Sequence, residues 1–218
     1  MNTRTLSDPY APTPTRLSGF PFIVLEGVSG IGKTTLARLL AARLDAETLH
    51  TLCPPHSEWT AASSAQLRPL PQFGLYLSGL LHASDRIRHS LAAGRPVIAD
   101  RYVSSVIACH SAVHRVPADT VADLLGPFRP YLAVPDLTVY LSCSKNTLRE
   151  RMAAKRDQGP LSADDKELLA VPGRLRRLLD NFAAQAAADP TALRINTDGM
   201  SAAAVADAVL ARTEVRCA

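Results

Sequence analysis

Between Gly27 and Thr34 the chain reads Gly-Val-Ser-Gly-Ile-Gly-Lys-Thr, a spacing that satisfies G-x-x-x-x-G-K-[ST] and carries phosphate-binding chemistry. Glycines let the backbone turn its N–H groups toward anionic oxygens. A lysine at position 33 can then reach β and γ phosphates, and the hydroxyl of Thr34 suits a hard cation such as Mg²⁺. Gly27, Val28, Ser29, Gly30, Ile31, Gly32, Lys33, Thr34 and Thr35 are therefore expected to hold the phosphates of ATP.

The flanking residues supply the context such a loop needs. Phe22–Leu25 is an apolar run that reads as a buried strand, and Leu36, Leu39, Leu40 and Leu44 repeat at helical spacing from Lys33 onward. Further along, strand-like and helix-like stretches alternate. Strands are expected at Thr48–Leu52, Pro96–Asp100, Leu137–Leu141 and Ala192–Ile195, the third strand of the chain ending in a carboxylate. Helices are expected at Gln72–Ala93, Val103–His114, Pro117–Leu125, Asn146–Lys155, Arg174–Ala188 and Ala202–Ala211, with a Pro-rich loop before the first of these. Alternation of this kind implies an α/β fold in three layers: a five-stranded parallel sheet flanked by helices, with ligands at the carboxyl ends of the strands.

Composition narrows the classes of function. At 218 residues the chain can bury a core as one domain without metal or disulfide staples. Its cysteines, Cys53, Cys109, Cys143 and Cys217, form no C-x-x-C pair and no signal peptide is recognisable, so a cytoplasmic setting is expected. No apolar stretch has bilayer length, and the net charge of +4 is not gathered into a tail or stripe, so neither a membrane nor a nucleic acid is an expected partner. Residues 1–19, rich in Pro, Ser and Thr, read as a flexible leader, with one domain over 20–218.

With the phosphate loop, Asp100-Arg101-Tyr102, Leu80-Leu81-His82-Ala83-Ser84-Asp85-Arg86, Pro135–Leu141, Leu148–Arg151 and Ile195–Gly199 in hand, the chain resembles the thymidylate kinase family of P-loop nucleoside monophosphate kinases. The resemblance runs from about Phe20 to the C-terminus. It implies ATP- and Mg²⁺-dependent phosphorylation of a nucleoside monophosphate, nominally dTMP to dTDP, by a homodimer. Asp100 would join Thr34 at the Mg²⁺, and Arg101 would touch donor and acceptor phosphates. A short lid over about 151–170 would bring a catalytic cation, with Arg151 and Arg156 preferred because position 31 of the loop is Ile and not Arg. Ser29, His82, Arg86, Arg101 and His110 would contact the acceptor.

Several family positions on the acceptor side carry other residues. An acidic residue is usual where Ser29 stands, a stacking aromatic where His82 stands, a Tyr-Gln pair where Cys109-His110 stands, and an arginine where Leu52 stands. Losing that arginine removes a charged hydrogen bond worth about 1.5–3 kcal/mol. Weak use of dTMP is the expectation that follows, with a different nucleotide, nucleoside or small alcohol as an alternative acceptor. A nucleotide-binding protein without turnover is a second alternative, and retention of Lys33, Thr34, Asp100 and Arg101 argues against it. Zinc binding by Cys53, His56, Cys109, His110 and His114 is disfavoured, since their spacing fits no zinc frame.

Overall fold

Every residue of Phe22–Glu26 is buried, the pattern of a strand covered on both faces. This strand, β1, is the centre of a five-stranded sheet in a computed structural model that describes residues 19, 21–157, 166, 168 and 170–217. Residues 1–18 of the leader expected over 1–19, and 158–165, 167 and 169 of the lid expected over about 151–170, lie outside the described residues.

Val97–Asp100 (β3) and Leu137–Ser142 (β4) pair with β1 on its two sides, both parallel to it. Glu47–His50 (β2) lies outside β3, and Ala192–Asn196 (β5) outside β4, giving the order β2-β3-β1-β4-β5. Parallel neighbours need long crossovers, and helices supply them. Lys33–Leu44 (α1) follows β1; His56–Ser63 (α2) and Pro69–Ala92 (α3) follow β2; Val103–His114 (α4) and Ala118–Leu125 (α5) follow β3. Lys145–Asp157 (α6) and Arg174–Ala188 (α7) lie between β4 and β5, and Ala202–Cys217 (α8) comes last.

Alternate strand residues feed opposite cores, as the period of two demands. Ile23, Leu25, Ile98 and Val139 pack with Leu36 and Leu40 of α1 and Val205 and Val209 of α8. On the other face Phe22, Val24, Val97 and Ala99 pack with Leu80 and Ile87 of α3 and Ile107 of α4. The expected α/β architecture is thus the observed one. Two local expectations change: the second strand stops at His50, and the Pro-rich loop contains a helix, α2. Pro55 sits at its N-cap, where a missing N–H costs nothing. Among the described residues no helix is long and apolar enough to cross a membrane.

Candidate active site

The loop Gly27–Gly32 leaves the carboxyl end of the central strand and enters α1. Gly27, Gly30 and Gly32 all have positive φ, at 139°, 81° and 110°. At Gly27 an added Cβ would also lie 2.8 Å from the backbone oxygen of Leu141, so both the torsion and the close approach of β4 require glycine. No side chain caps the start of α1 and no acidic residue occupies its first turn. Its free N–H groups and positive dipole end therefore remain available to an anion.

Lys33 is buried and folds back over the loop, its Nζ donating to the carbonyl oxygens of Gly27 and Val28, each at 2.9 Å. An ammonium has three protons, so one donor is left for a phosphate oxygen. Burial, with the Arg101 guanidinium nearby, pulls its pKa down to about 7.

Thr34 and Asp100 meet beneath the loop, the Thr34 hydroxyl donating to Asp100 Oδ2 at 2.8 Å. Asp100 Oδ1 is buried with no hydrogen-bond partner among the described residues. One free carboxylate oxygen beside a hydroxyl fits a hard divalent cation that takes its other ligands from phosphate and water. Arg101, next in sequence, has φ 76°, a left-handed conformation that costs a non-glycine residue about 1–3 kcal/mol. Its Nη1 donates to the Gly27 carbonyl at 3.3 Å and to Ser105 Oγ at 3.2 Å. Lys33 and Arg101 thus converge on one carbonyl oxygen, a pair of cations set where phosphoryl oxygens would gather negative charge.

The cations of α6 divide between two tasks. Arg151 Nη1 donates to the Ile31 carbonyl at 2.9 Å and to Thr197 Oγ1 at 2.8 Å, while Nη2 reaches the Thr197 carbonyl at 3.1 Å. It therefore fastens the phosphate loop to the turn after β5. Lys155, one turn later, places its Nζ 3.2 Å from Ser29 Oγ. Arg156 lies exposed in the last turn of α6. Among the described residues, Arg151 and Lys155 are the α6 cations held against the loop.

On the acceptor side the expected residues separate. His82 Nδ1 lies 3.3 Å from His56 Nδ1 and 3.6 Å from Cys53 Sγ, and His56 Nε2 is 2.8 Å from Ser78 Oγ. Leu52 packs against Gly79 of α3. His110 is buried, its ring 5.7 Å from Phe73 and 4.4 Å from His114. Burial, reinforced by His114, holds its pKa down to about 4, so the ring is neutral, and its Nδ1 has no partner among the described residues.

Arg86 lies one helical turn after His82 on α3, and the two line one outer cleft of about 380 Å³ that contains no phosphate-loop residue; there Arg86 pairs with Glu47 at 3.0 Å, as does Arg95 at 3.2 Å. Glu47 is in register with Val97 at the start of β3, about 10 Å of strand below Asp100. Arg86 lies in the second half of α3, which brings its guanidinium to Glu47 at the start of β2. Among the described residues no group of three His, Cys, Asp or Glu is arranged to hold a metal ion.

Sequence reasoning gave no role to two residues at the site. His50, the last residue of β2, is in register with Asp100 and takes the Leu52 N–H on its Nδ1 at 3.2 Å. Burial lowers its pKa while Asp100 opposes the shift. Glu26, the last residue of β1, is fully buried, and burial raises its pKa. A carboxylate closing an otherwise apolar run was the available signal for Glu26.

The central strand, its loop and the paired cations place this protein among the P-loop phosphotransferases. The model of the thymidylate kinase family matches residues 25–188, and the chain belongs to that family. It is 34% identical over 207 residues to the thymidylate kinase of Thermomicrobium roseum, covering 89% of this chain and 95% of that one. The thymidylate kinase of a Synechococcus strain is 30% identical over 198 residues, with 83% and 88% covered. Among solved structures, a thymidylate kinase from Candida albicans, described for its broad substrate specificity, superposes with a TM-score of 0.72. That match, at 18% identity, covers 91% of this chain and 94% of that one.

Proposed function

We propose that the protein transfers the γ-phosphoryl group of ATP to a nucleoside monophosphate, with dTMP as the nominal acceptor and dTDP as the product. The convergence of Lys33 and Arg101 on the Gly27 carbonyl, above the Thr34–Asp100 pair, carries this reading. Phosphoryl transfer is largely a matter of positioning and of charge stabilisation, and these residues provide both. Lys33 and the loop amides orient the donor, and Arg101 spans donor and acceptor phosphates. Lys155, already over Ser29, is placed to meet the transferring group from the lid side. Thr34 and Asp100 would hold a Mg²⁺ that supplies charge neutralisation at the β and γ phosphates. Ser29 and neutral His110 are assigned to the acceptor.

A homodimer and a cytoplasmic setting complete the proposal. Family resemblance supports the first, and Cys53 and Cys143, which carry no disulfide, suit a reducing compartment.

A second reading, transfer to another nucleotide, a nucleoside or a small alcohol, is favoured by two placements. Leu52 offers α3 a methyl group where the family carries an arginine, and the Arg86 guanidinium is already paired with Glu47. Coupled ADP release with dTMP and a panel of other monophosphates, nucleosides and alcohols separates the cases. A preference for dTMP with kcat/KM of about 10⁴ M⁻¹s⁻¹ or more supports the first reading. A tenfold preference for another acceptor establishes the second, and absence of ADP release with every acceptor would overturn both.

A further inference from the structure

Glu26 is the one carboxylate in the central strand, and all of its hydrogen bonds run to a single place. Its Oε1 accepts the N–H of Tyr102 at 2.9 Å and the N–H of Ser105 at 3.1 Å, while Oε2 accepts the Ser105 hydroxyl. Tyr102 is the N-cap residue of α4 and makes no side-chain cap of its own. Glu26 therefore satisfies from 76 residues away the donors that a local Ser or Glu would satisfy in an ordinary capping box. A short polar residue at Tyr102 would do this without burying a charge, and burial of an isolated carboxylate is costly. The arrangement calls for a second reason.

The direction of the hydrogen bonds supplies one. A serine hydroxyl has a single proton, and Ser105 spends it on Glu26. Its oxygen is then left as an acceptor, and Arg101 Nη1 donates to it at 3.2 Å. The chain of donors runs from guanidinium to hydroxyl to carboxylate, each link polarising the next. The same Nη1 reaches the Gly27 carbonyl, and Gly27 is the neighbour of Glu26 in sequence. One short stretch of β1 thus holds Arg101 at two points, against a backbone torsion of 76° that an arginine does not adopt by preference.

We propose that Glu26 is a positioning residue for phosphoryl transfer: acting through Ser105 and the first turn of α4, it fixes the Arg101 guanidinium over the phosphate loop without itself touching substrate. The proposal rests on the reading of Arg101 as the cation that bridges the phosphates. A double-mutant cycle tests the two separately, using Glu26→Gln, Ser105→Ala, Arg101→Ala and the combinations with Arg101→Ala, with ATP and the best acceptor from the panel above. Glu26→Gln should lower kcat by roughly 10- to 100-fold while changing KM for ATP by less than about threefold. In the Arg101→Ala background the same substitution should cost less than about twofold, because the group it positions is gone. Should Glu26→Gln fail to fold, Ser105→Ala carries the test, since it removes only the relaying hydroxyl; Ser105→Thr should restore the rate. Full additivity in the cycle would show that Glu26 is structural only and would overturn the proposal. An undiminished kcat in Arg101→Ala would overturn the reading of Arg101 instead. Independently of turnover, ¹⁵N NMR of the Arg101 side chain should show hindered guanidinium rotation in the unsubstituted protein and averaging in Ser105→Ala. Equal averaging in both would count against the relay.

Discussion

Lys33 carries a heavier share of the chemistry than its position in a motif conveys. It is buried and it already satisfies two carbonyl oxygens, which leaves one donor for a phosphate oxygen. Lys33→Ala should lower kcat by about 10² to 10³, or about 2.7–4 kcal/mol of transition-state stabilisation, with the fold retained. Steady-state kinetics together with circular dichroism check this; near-normal turnover in a folded variant would remove Lys33 from the mechanism. His110 makes a different prediction. Its pKa is held at about 4 by burial and by His114, whereas an exposed histidine titrates near about 6.5. Below about pH 6.5 the unfolded chain binds a proton that the folded chain refuses. The stability contributed at neutral pH therefore declines as pH falls from about 6.5 toward 4, by at most ~1.4 kcal/mol per pH unit for one group. Urea midpoints at pH 7 and pH 5 should show a larger loss for the native sequence than for His110→Gln. Equal losses would mean that the ring takes up its proton while folded.

Helices decide which side chains reach the loop, and here the sequence was only partly legible. Lys33 and Thr34 could be read because a phosphate loop is one short segment at the end of one strand, so spacing alone brings its parts together; Asp100, at the end of β3, was named by the family resemblance. Arg86 could not be read in the same way. It sits on a helix of 24 residues, where a small change in where the helix starts relative to β2 rotates the residue to another face. A local match over Leu80–Arg86 identifies residue types and leaves that rotation open; the structure keeps Arg86 in one cleft with His82 and pairs it with Glu47. The lid shows the same limit. The family resemblance, with Ile at position 31, named Arg151 and Arg156; the phase of α6 puts Arg151 on Ile31 and Thr197, and Lys155 on Ser29. Arg151→Ala should accordingly raise KM for ATP and lower the melting temperature, since it releases a tie between the loop and β5. Lys155→Ala should lower kcat about tenfold or more with little change in stability. A loss of kcat in Arg156→Ala but not in Lys155→Ala would transfer the role to Arg156.

At the scale of the whole molecule, the alternation of strands and helices was sufficient for the fold, because a buried parallel sheet leaves few other arrangements for such a pattern. The helix α2 was hidden by the two prolines before it, which read as a loop and in fact open a helix. The acceptor side is the part least determined by sequence, because it is assembled from the β2–α2 connection, α3 and α4 and depends on how those elements lean together.

The sheet order has a bearing on when this protein becomes able to bind its nucleotide. β1 is made early, yet its partners in the sheet, β3 and β4, come from much later in the chain, and Gly27 is closed in by Leu141 of β4. A nascent chain that has exposed the whole phosphate motif therefore still lacks both walls of the cradle, and ordering it must wait for long-range pairing, the slow part of folding for parallel sheets. Arrested chains ending before Leu137 should gain no protease protection from ATP. Chains extending past Ser142 should begin to gain it, and protection of the shorter chains would show that the loop can organise without its neighbours.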